Sequence, residues 1–388
     1  NIFNEKPIFS RKEVIHIMKI ICSKTNLLKS VSISLKAVPS KTTMPILECI
    51  LIDATANQIK FTTNDMELGI ETIVEGSIEE KGMVALNAKI FYEIIRRLPD
   101  NDVTIKTDDK YTATITCEKA KFNIPGKSGE DFAYLPMIER DDPLTISQYT
   151  LKNMIYQTIF SIAVNDNNKL MTGELFEIKN NCLKIVSLDG HRIAIRKMPL
   201  KKDYSDRKVV VPGKTLNEIS KILSGEMDDV VSIYFTNNHI LFEFDQTMVV
   251  SRLIEGEYFR IDQMLSSDYE TKLSINKKEF LDCIDRATLL VREGDKKPII
   301  IHITDNNMEL KIDSAMGSMN EDIDIEKEGK DILIGFNPKF LIDALKVIDD
   351  EMIDIYLVNP KAPCFIRDEE ETYTYLILPV NINQNQAR

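Results

Sequence analysis

The chain has 388 residues, too many for one ordinary core, so its length predicts two or three domains. Hydrophobic residues make up 43% and charged residues 28%, a composition that excludes wholesale disorder. The net charge of −12 counts against a nucleic-acid partner unless the basic residues are gathered on one surface.

Cysteine usage and hydropathy indicate where the chain works. Six cysteines are scattered without a CxxC pair: Cys22, Cys49, Cys117, Cys182, Cys283 and Cys364. This spacing favours buried thiols in a reducing cytosol over a zinc site or a disulfide framework. No stretch approaches the roughly 20 apolar residues that a membrane span needs, and the N-terminus lacks a signal-peptide pattern. We therefore expect a cytoplasmic protein with no membrane partner, no metal and no cofactor.

The predicted elements recur in a fixed order along the chain. Residues 1–17 precede Met18 and are expected to be an N-terminal extension outside the fold. A predicted helix then leads into an alternating hairpin, and the hairpin leads into a short strand followed by a second helix. The first helices span 26–38, 150–164 and 278–291, the hairpins read ILIDATANQIKFTT, LFEIKNNCLKIVS and IHITDNNMELKID, and the strand–helix segments span 84–98, 209–223 and 333–348.

The strand–helix segments show the repeat most clearly. Three lysines hold the same place in them and fall 125 residues apart: Lys89, Lys214 and Lys339. Asn87 and Asn337 suit a helix N-cap, and Pro212 and Pro338 suit a first helical turn. The sequence thus predicts an α+β fold built from three tandem two-helix units. Their expected bounds are 18–140, 141–265 and 266–383, with a tail at 384–388.

Charge is distributed unevenly between the predicted helices and the rest of the chain. Windows at 22–41, 87–98, 146–164, 212–223, 275–292 and 337–348 hold 16 basic and 6 acidic residues, a net charge of +10. All other residues together carry −22. Solvated helical lysines would explain one such helix, but a bias shared by three copies favours a common basic surface. The chain has no tryptophan on which a base could stack and no recognised motif that reads the bases in a DNA groove. The helical lysines therefore indicate contact with phosphates that is independent of sequence and sensitive to salt.

These units resemble the bacterial sliding clamp, the beta subunit of DNA polymerase III. The resemblance is carried by the three tandem units, by TMPILECILI (43–52), SLDGHRIAI (187–195) and YLILPV (375–380), and it covers residues 18 to 383. It implies the DNA clamp fold, in which antiparallel sheets form the outside of a ring and helices line its hole. It also implies that two chains join head to tail as a homodimer.

The resemblance implies a function as well as a fold. Such a ring encircles double-stranded DNA without sequence specificity and has no catalytic activity of its own. It tethers the DNA polymerase III alpha subunit, the clamp loader and other proteins with a clamp-binding motif, so that it acts as a processivity factor. The basic helices would then face the DNA, and the acidic exterior would face solvent and partners.

A hydrophobic pocket for partner peptides is also implied by the resemblance. Aliphatic anchors would enter a dry cleft while a few polar groups fix their orientation. The residues expected there are Met171, Leu188, Gly190, His191, Arg192, Ile193, Met264, Asn337, Phe340, Pro363, Ile377, Leu378, Pro379 and Val380. The sequence departs from the family at 257–261, where relatives usually carry Pro-Asp-Tyr after the glycine. It also continues past Pro379 as Val380-Asn381-Ile382, where some relatives end in a basic and an apolar residue.

Two further sets of residues are assigned by position. The DNA-contacting set implied by the resemblance is Lys41, Asn165, Lys169 and Lys214. Charge alone adds Lys36 and Arg96. At the joint of the ring, Phe122 and Ile124 are expected to meet Leu289 and Leu290 of the other copy, because a head-to-tail joint needs complementary apolar patches.

The Asp189–Arg192 corner could instead belong to an active site, but the sequence supplies no nucleophile or metal partner for His191. Asp189-Gly190 is more simply a turn that ends a strand. Two alternatives to the clamp stay open on the residues alone. One is a monomeric repeat scaffold that binds only proteins, and the other is a hydrolase or nuclease. The second lacks a phosphate loop, HExxH and GxSxG.

Overall fold

The computed structural model describes residues 17–165, 167–292 and 297–382. These residues divide into two compact units, one running up to residue 140 with 231–235 and 241–251, the other comprising 141–230, 236–240 and the described residues from 252 onward. The predicted extension and tail lie outside the described residues, except for residue 17. Met18 is fully buried, and its backbone N–H donates a 2.9 Å hydrogen bond to Thr107 Oγ1.

The α-helices of the described residues come in three pairs that pack together, as the repeat predicts. The pairs are α1 (Lys24–Ser34) with α2 (Ala88–Arg97), α3 (Gln148–Tyr156) with α4 (Gly213–Ile222), and α5 (Lys277–Thr288) with α6 (Pro338–Val347). The repeated lysines are each the second residue of their helix: Lys89, Lys214 and Lys339. The 125-residue spacing is therefore a structural repeat.

Helix starts follow the local chemistry of the sequence. The side chain of Asn87 accepts a 3.1 Å hydrogen bond from the N–H of Ile90, and the side chain of Asn337 caps α6 in the same way. Pro338 is the first residue of α6, and Pro212 is the residue directly before α4. Both predicted asparagine caps are confirmed, because each satisfies an N–H that has no partner within the helix.

The predicted helix at 150–164 is wrong beyond Tyr156. At Thr158 the backbone leaves helical geometry with φ −129°, and a 3₁₀ turn follows at Ile159–Ser161. Thr158 and Ser161 are nonetheless buried, so the chain keeps facing the core after the helix has ended. The buried residues here are polar and the apolar Ile159 and Phe160 are only half-buried, so apolar spacing predicts neither this burial nor the end of the helix.

The strands account for most of the remaining structure. In the first repeat they are β1 Lys19–Ser23, β2 Cys49–Asp53, β3 Ile59–Asn64, β4 Leu68–Val74, β5 Ser77–Glu80, β6 Met83–Asn87, β7 Asp102–Thr107, β8 Ala113–Cys117, β9 Ala120–Ile124 and β10 Gly126–Lys127. In the second they are β11 Leu144–Ser147, β12 Gly173–Lys179, β13 Cys182–Leu188, β14 Arg192–Pro199, β15 Arg207–Pro212, β16 Val230–Phe235, β17 His239–Phe244 and β18 Thr247–Arg252. In the third they are β19 Thr271–Asn276, β20 Ile299–Thr304, β21 Asn307–Ser314, β22 Gly317–Asp324, β23 Glu326–Gly329, β24 Ile332–Phe336, β25 Met352–Leu357, β26 Cys364–Arg367 and β27 Tyr373–Ile377.

Two of the four antiparallel sheets of the described residues join consecutive repeats. In the first unit one sheet has the order β5-β1-β7-β8-β9, and the other contains β10-β6-β2-β3-β4-β18-β17-β16. In the second unit one sheet has the order β15-β12-β13-β14-β27-β26-β25-β19-β23, and the other has the order β22-β21-β20-β24. The pairings of β4 with β18 and of β14 with β27 each connect one repeat to the next.

All three predicted hairpins are confirmed. β2 pairs with β3, β12 with β13 and β20 with β21. Asn180 and Asn181 form the middle turn with φ values of 51° and 54°. A left-handed conformation at both central residues matches the twist of the flanking strands, and asparagine tolerates it better than most residues do. The β13–β14 hairpin places the corner at 189–191 on the second unit.

Candidate functional site

The corner between β13 and β14 is a tight turn held by one carboxylate. Asp189 Oδ1 accepts the backbone N–H groups of His191 at 3.0 Å and Arg192 at 3.2 Å. Gly190 has φ +85°, a conformation that residues with a side chain rarely adopt. The predicted Asp-Gly turn is therefore confirmed, and it fixes the direction in which the next two side chains leave the sheet.

Arg192 is an internal anchor of this corner. It is 7% exposed, and its Nε lies 3.0 Å from Asp189 Oδ2. Nη1 donates to Asp343 Oδ2 on α6 at 2.7 Å, and Nη2 donates to the carbonyl of Phe160 at 2.7 Å. The guanidinium also lies over the ring of Phe340, 4.5 Å from its centroid. Its three nitrogens are thus occupied by the protein itself, which indicates a positioning role rather than a free cation.

A cavity of about 410 Å³ lies beside the corner, and we call it the corner pocket. Its lining is almost entirely apolar, with Arg192 and His191 as the side chains that carry polar nitrogens. The lining residues are Met171, Leu188, Gly190, His191, Arg192, Ile193, Phe259, Met264, Pro363, Leu376 and Leu378. A cavity of this size and character suits apolar side chains of a ligand.

Nine residues of the predicted pocket set line this cavity: Met171, Leu188, Gly190, His191, Arg192, Ile193, Met264, Pro363 and Leu378. They come from segments as far apart as 171 and 378 in the sequence. The tertiary structure thus brings most of the set together, and their role in binding a partner stays a prediction.

Strand alternation explains why Ile377 does not line the pocket. Successive side chains of β27 point to opposite faces of the sheet, so Leu376 and Leu378 face the cavity together. Ile377 is 1% exposed and packs in the opposite core with Cys364, its partner on β26. Leu376 was absent from the predicted set, although the period of two along this strand indicates it.

The other four predicted pocket residues are not among those that line the cavity. Asn337 caps α6, and Phe340 stacks on the ring of His191 with their centroids 5.9 Å apart. Val380 forms an isolated antiparallel bridge with Gly335 through its backbone. Pro379 lies between Leu378 and this bridge and is partly exposed. Phe340 therefore packs against two residues that line the pocket, Arg192 and His191.

Phe259 is a lining residue that the sequence did not predict. It belongs to the 257–261 segment that departs from the family. Its ring packs edge-on against the ring of Tyr258, with the two centroids 5.5 Å apart. Tyr258 is buried, and its hydroxyl donates to the carbonyl of Val186 at 3.4 Å. Phe259 packs against the same core cluster as Tyr258 and also reaches the cavity, and no periodic pattern in the 257–261 segment marks it.

The residues predicted to contact DNA occupy separate places in the two units. Lys36 lies in a 3₁₀ turn after α1, Lys41 is exposed on the following loop, and Arg96 is in the last turn of α2. In the second unit, Asn165 and Lys169 are exposed on the segment between α3 and β12, and Lys214 is exposed on α4. Arg96 pairs with Glu93 at 2.8 Å.

The residues predicted at the ring joint include large exposed apolar side chains. Phe122 is 39% exposed on β9, and Leu289, directly after α5, is 75% exposed. Ile124 and Leu290 are partly buried and pack against the cores of their own units. Phe122 and Leu289 are thus the two members of this set with side chains exposed enough to be covered by another copy, and the joint stays a prediction.

One buried carboxyl group lies outside these sites. Glu174 on β12 is fully buried, and neither of its oxygens has a hydrogen-bond partner among the described residues. The nearby Thr158 hydroxyl donates instead to the carbonyl of Met154 at 2.7 Å. Burial raises the pKa of Glu174 well above its ordinary value, because ionisation would leave a charge without water.

No metal centre or membrane span emerges in the part of the chain that the structure describes. Within residues 17–165, 167–292 and 297–382, no group of three or more His, Cys, Asp and Glu side chains could hold a metal ion. Across the same ranges, no helix is both long enough and apolar enough to cross a membrane.

Family models match the chain in three consecutive segments. Residues 18–136 match the N-terminal domain of the DNA polymerase III beta subunit, 145–259 match its central domain, and 262–381 match its C-terminal domain. The three segments fall on the three repeats seen in the sequence and in the helix pairs.

Whole proteins give the same result. The beta sliding clamp of Staphylococcus aureus strain Mu50 is 34% identical over 358 residues, which cover 89% of this chain and 95% of that protein. The crystal structure of a putative DNA polymerase III beta subunit from Eubacterium rectale is 70% identical, covers 94% of this chain and 100% of that one, and has a TM-score of 0.92. The sliding clamp of Bacillus subtilis is 34% identical at 95% and 100% coverage, also with a TM-score of 0.92. By fold, by sequence and over nearly its whole length, the chain belongs to the family of the bacterial DNA polymerase III beta subunit, the beta sliding clamps.

Proposed function

We propose that two copies of this chain join head to tail into a closed ring whose helices line a hole around duplex DNA. As a sliding clamp the protein is a processivity factor and not an enzyme. The basic helices and the acidic remainder of the chain support the arrangement, since a polyanion can pass through an acidic protein only along a basic surface. Contacts with phosphates alone leave the ring free to slide. The ring would work in the cytoplasm, where bacterial DNA is replicated.

Two free sheet edges support the proposed joint. β9 is the last strand of its sheet in the first unit, and β22 is the last strand of its sheet in the second unit. An unpaired edge is a template for pairing with another chain. Lys121 on β9 is exposed, as are Asp322 and Asp324 on β22, so the two edges carry opposite charge. Pairing of these edges between copies would place Phe122 near the Leu289–Leu290 end of α5.

The corner pocket is proposed to receive apolar segments of partner proteins. The observation that carries this proposal is the cavity of about 410 Å³ whose lining is apolar and whose one arginine is already bound internally. A partner therefore gains mainly from burying aliphatic or aromatic anchors, each worth about 1.5–3 kcal/mol when fully buried. The proposed partners are the DNA polymerase III alpha subunit, the clamp loader and other proteins with a clamp-binding motif.

The ring is tested by its mass and by its retention on DNA. Sedimentation of the purified protein is expected to give twice the 44.4 kDa mass of one chain. After loading, the protein is expected to stay on circular duplex DNA and to leave the same DNA once it is linearised. A monomer that leaves both forms at the same rate contradicts encirclement and supports the alternative, a repeat scaffold that binds only proteins.

A further inference from the structure

The three helix pairs differ in their net charge. α1 and α2 hold five basic residues and one acidic residue, and α3 and α4 hold three basic residues and one acidic residue. α5 and α6 hold five basic and four acidic residues. The positive charge that the sequence assigns to the helices as a group therefore belongs mainly to the first pair.

Equivalent positions of the repeat show the same trend residue by residue. The residues that precede α1, α3 and α5 are Ser23, Ser147 and Asn276. The sixth residue after each is Lys29, Asn153 and Asp282, in that order. The ninth is Ser32, Tyr156 and Asp285. One helix face thus changes from basic to neutral to acidic along the three repeats.

Three of the five cations of the third pair are engaged within the protein. Lys278 Nζ lies 2.5 Å from Asp282 Oδ2, and Arg286 Nε donates to Glu321 Oε2 at 2.9 Å. Lys277 Nζ donates to the carbonyl of Ile348 at 2.5 Å. Cations held by neighbouring carboxylates contribute little attraction for an external phosphate, because the pair is nearly neutral at a distance.

In the first pair, Arg96 and Arg97 are held by Glu93, but the same pair presents an open basic groove along α1. Its lining comprises Lys24, Thr25, Leu28, Lys29, Ser32 and Asp100, and its volume is about 400 Å³. Lys29 is exposed, and no carboxylate of the described residues lies within ion-pair distance of it or of Lys24. The hydroxyl of Thr25 donates to Asp100 at 3.1 Å, which partly satisfies the one acidic group of the groove.

We infer that the α1 groove, with Lys24 and Lys29, is the main phosphate-binding surface of this clamp and that α5 and α6 contribute little to DNA contact. This inference rests on the proposed encirclement of DNA, and it specifies which surface of the ring holds the duplex. The surface continues past α1 to Lys36 and to exposed Lys41, and exposed Lys89 lies on the helix that packs beside it. The ammonium groups of Lys24 and Lys29 beside the α1 groove suit contact with consecutive phosphates of the DNA backbone.

Reciprocal substitutions at the equivalent positions test the inference. Binding of each variant to a short linear duplex is measured by fluorescence anisotropy over a salt series. Lys29→Asp is expected to weaken binding and to reduce the slope of log K against log salt by about 0.9 for each phosphate that the protein no longer neutralises. Asp282→Lys is expected to strengthen binding and steepen the slope, because it adds a cation and releases Lys278.

A matched pair of lysines supplies the control. Lys89 and Lys339 are both exposed second residues of their helices, so replacing either by Gln removes one equivalent charge. Lys89→Gln is expected to weaken binding more than Lys339→Gln. Equal losses in these two variants, or an Asp282→Lys variant that binds no better than the unaltered protein, would overturn the inference. Circular dichroism melting identifies any variant whose loss comes from unfolding.

The test of the α1 groove and the test of the ring can fail independently of each other. If the unaltered protein leaves circular and linear DNA equally fast, encirclement fails, whatever the variants do on a short duplex. If it stays on circular DNA while Lys29→Asp behaves like the unaltered protein in both assays, encirclement stands and the α1 groove is excluded as the main contact.

Discussion

The guanidinium of Arg192 lies 2.7 Å from the carboxylate of Asp343, although 151 residues separate the two in the sequence. The contact joins β14, which forms the wall of the corner pocket, to α6. Asp189 and the carbonyl of Phe160 complete the surroundings of the guanidinium. The pocket wall is therefore held from three separate segments, and its shape depends on an ion pair that no ligand needs to contact.

Removing Asp343 is expected to destabilise the second unit. Breaking a fully buried ion pair typically costs 3–5 kcal/mol, and we expect about 2–3 kcal/mol for Asp343→Ala because its side chain is 24% exposed. Asp343→Asn keeps an acceptor for Nη1 and should lose about half as much. Urea unfolding measures both, with the exposed Asp285→Ala as control. A loss below about 0.5 kcal/mol for Asp343→Ala would show that Asp189 alone holds the arginine.

Glu174 is expected to make the stability of the protein depend on pH. Its pKa in the folded state lies well above the unfolded value, so the stabilisation is complete at low pH and is lost as the pH rises toward the folded pKa. In that window the free energy of unfolding should fall by about 1.36 kcal/mol per pH unit. Glu174→Gln and Glu174→Met should remove this fall. Denaturant unfolding of both variants and of the unaltered protein at a series of pH values from 5 upward gives the free energy of unfolding at each pH. A slope that is unchanged in both variants contradicts the assignment.

Leu378 is expected to contribute to peptide binding without supporting the fold. Its side chain lines the corner pocket and is 37% exposed, so truncation leaves little strain behind. Leu378→Ala should weaken binding of a synthetic peptide with two aliphatic anchors by about 1–2 kcal/mol, or roughly 5–30-fold. Isothermal titration calorimetry gives the constant, and Met352→Ala, an exposed apolar residue outside the pocket lining, is the control. Equal affinities for all three proteins would place the peptide elsewhere.

Leu289 is expected to be required for the ring. Its side chain is 75% exposed directly after α5, and a charge there would be buried at the proposed joint. Leu289→Asp should shift sedimentation from dimer toward monomer by at least tenfold in the dissociation constant. Met227→Asp, which is 69% exposed on the loop after α4, should leave the dimer intact. An undiminished dimer in Leu289→Asp would mean that the copies meet through another surface.

The turn, caps and hairpins around the site could be predicted because their local patterns are strong, whereas the set of pocket residues was implied by the resemblance to the family. The Asp189-Gly190 turn, the caps at Asn87 and Asn337 and the three hairpins each follow from a few adjacent residues. Side chains alternate between the two faces of the sheet along β27, so Leu376 and Leu378 share a face. This period predicts that Leu376, and not Ile377, lines the pocket. Phe259 could not be predicted in this way, because its segment has no regular period. Its position at the pocket depends on its packing against the ring of buried Tyr258.

The sequence by itself determined the three repeats and the excess of positive charge on the helices, because both can be counted along the chain. It also determined the asparagine caps and the turns, because each depends on contacts between neighbouring residues. Only the tertiary structure decided that Arg192 would be bound by Asp343, and that residues from Met171 to Leu378 would share one cavity. Only it showed which helical cations are already held by carboxylates. Periodicity records which face of an element is buried, whereas the identity of a distant partner depends on how the elements pack.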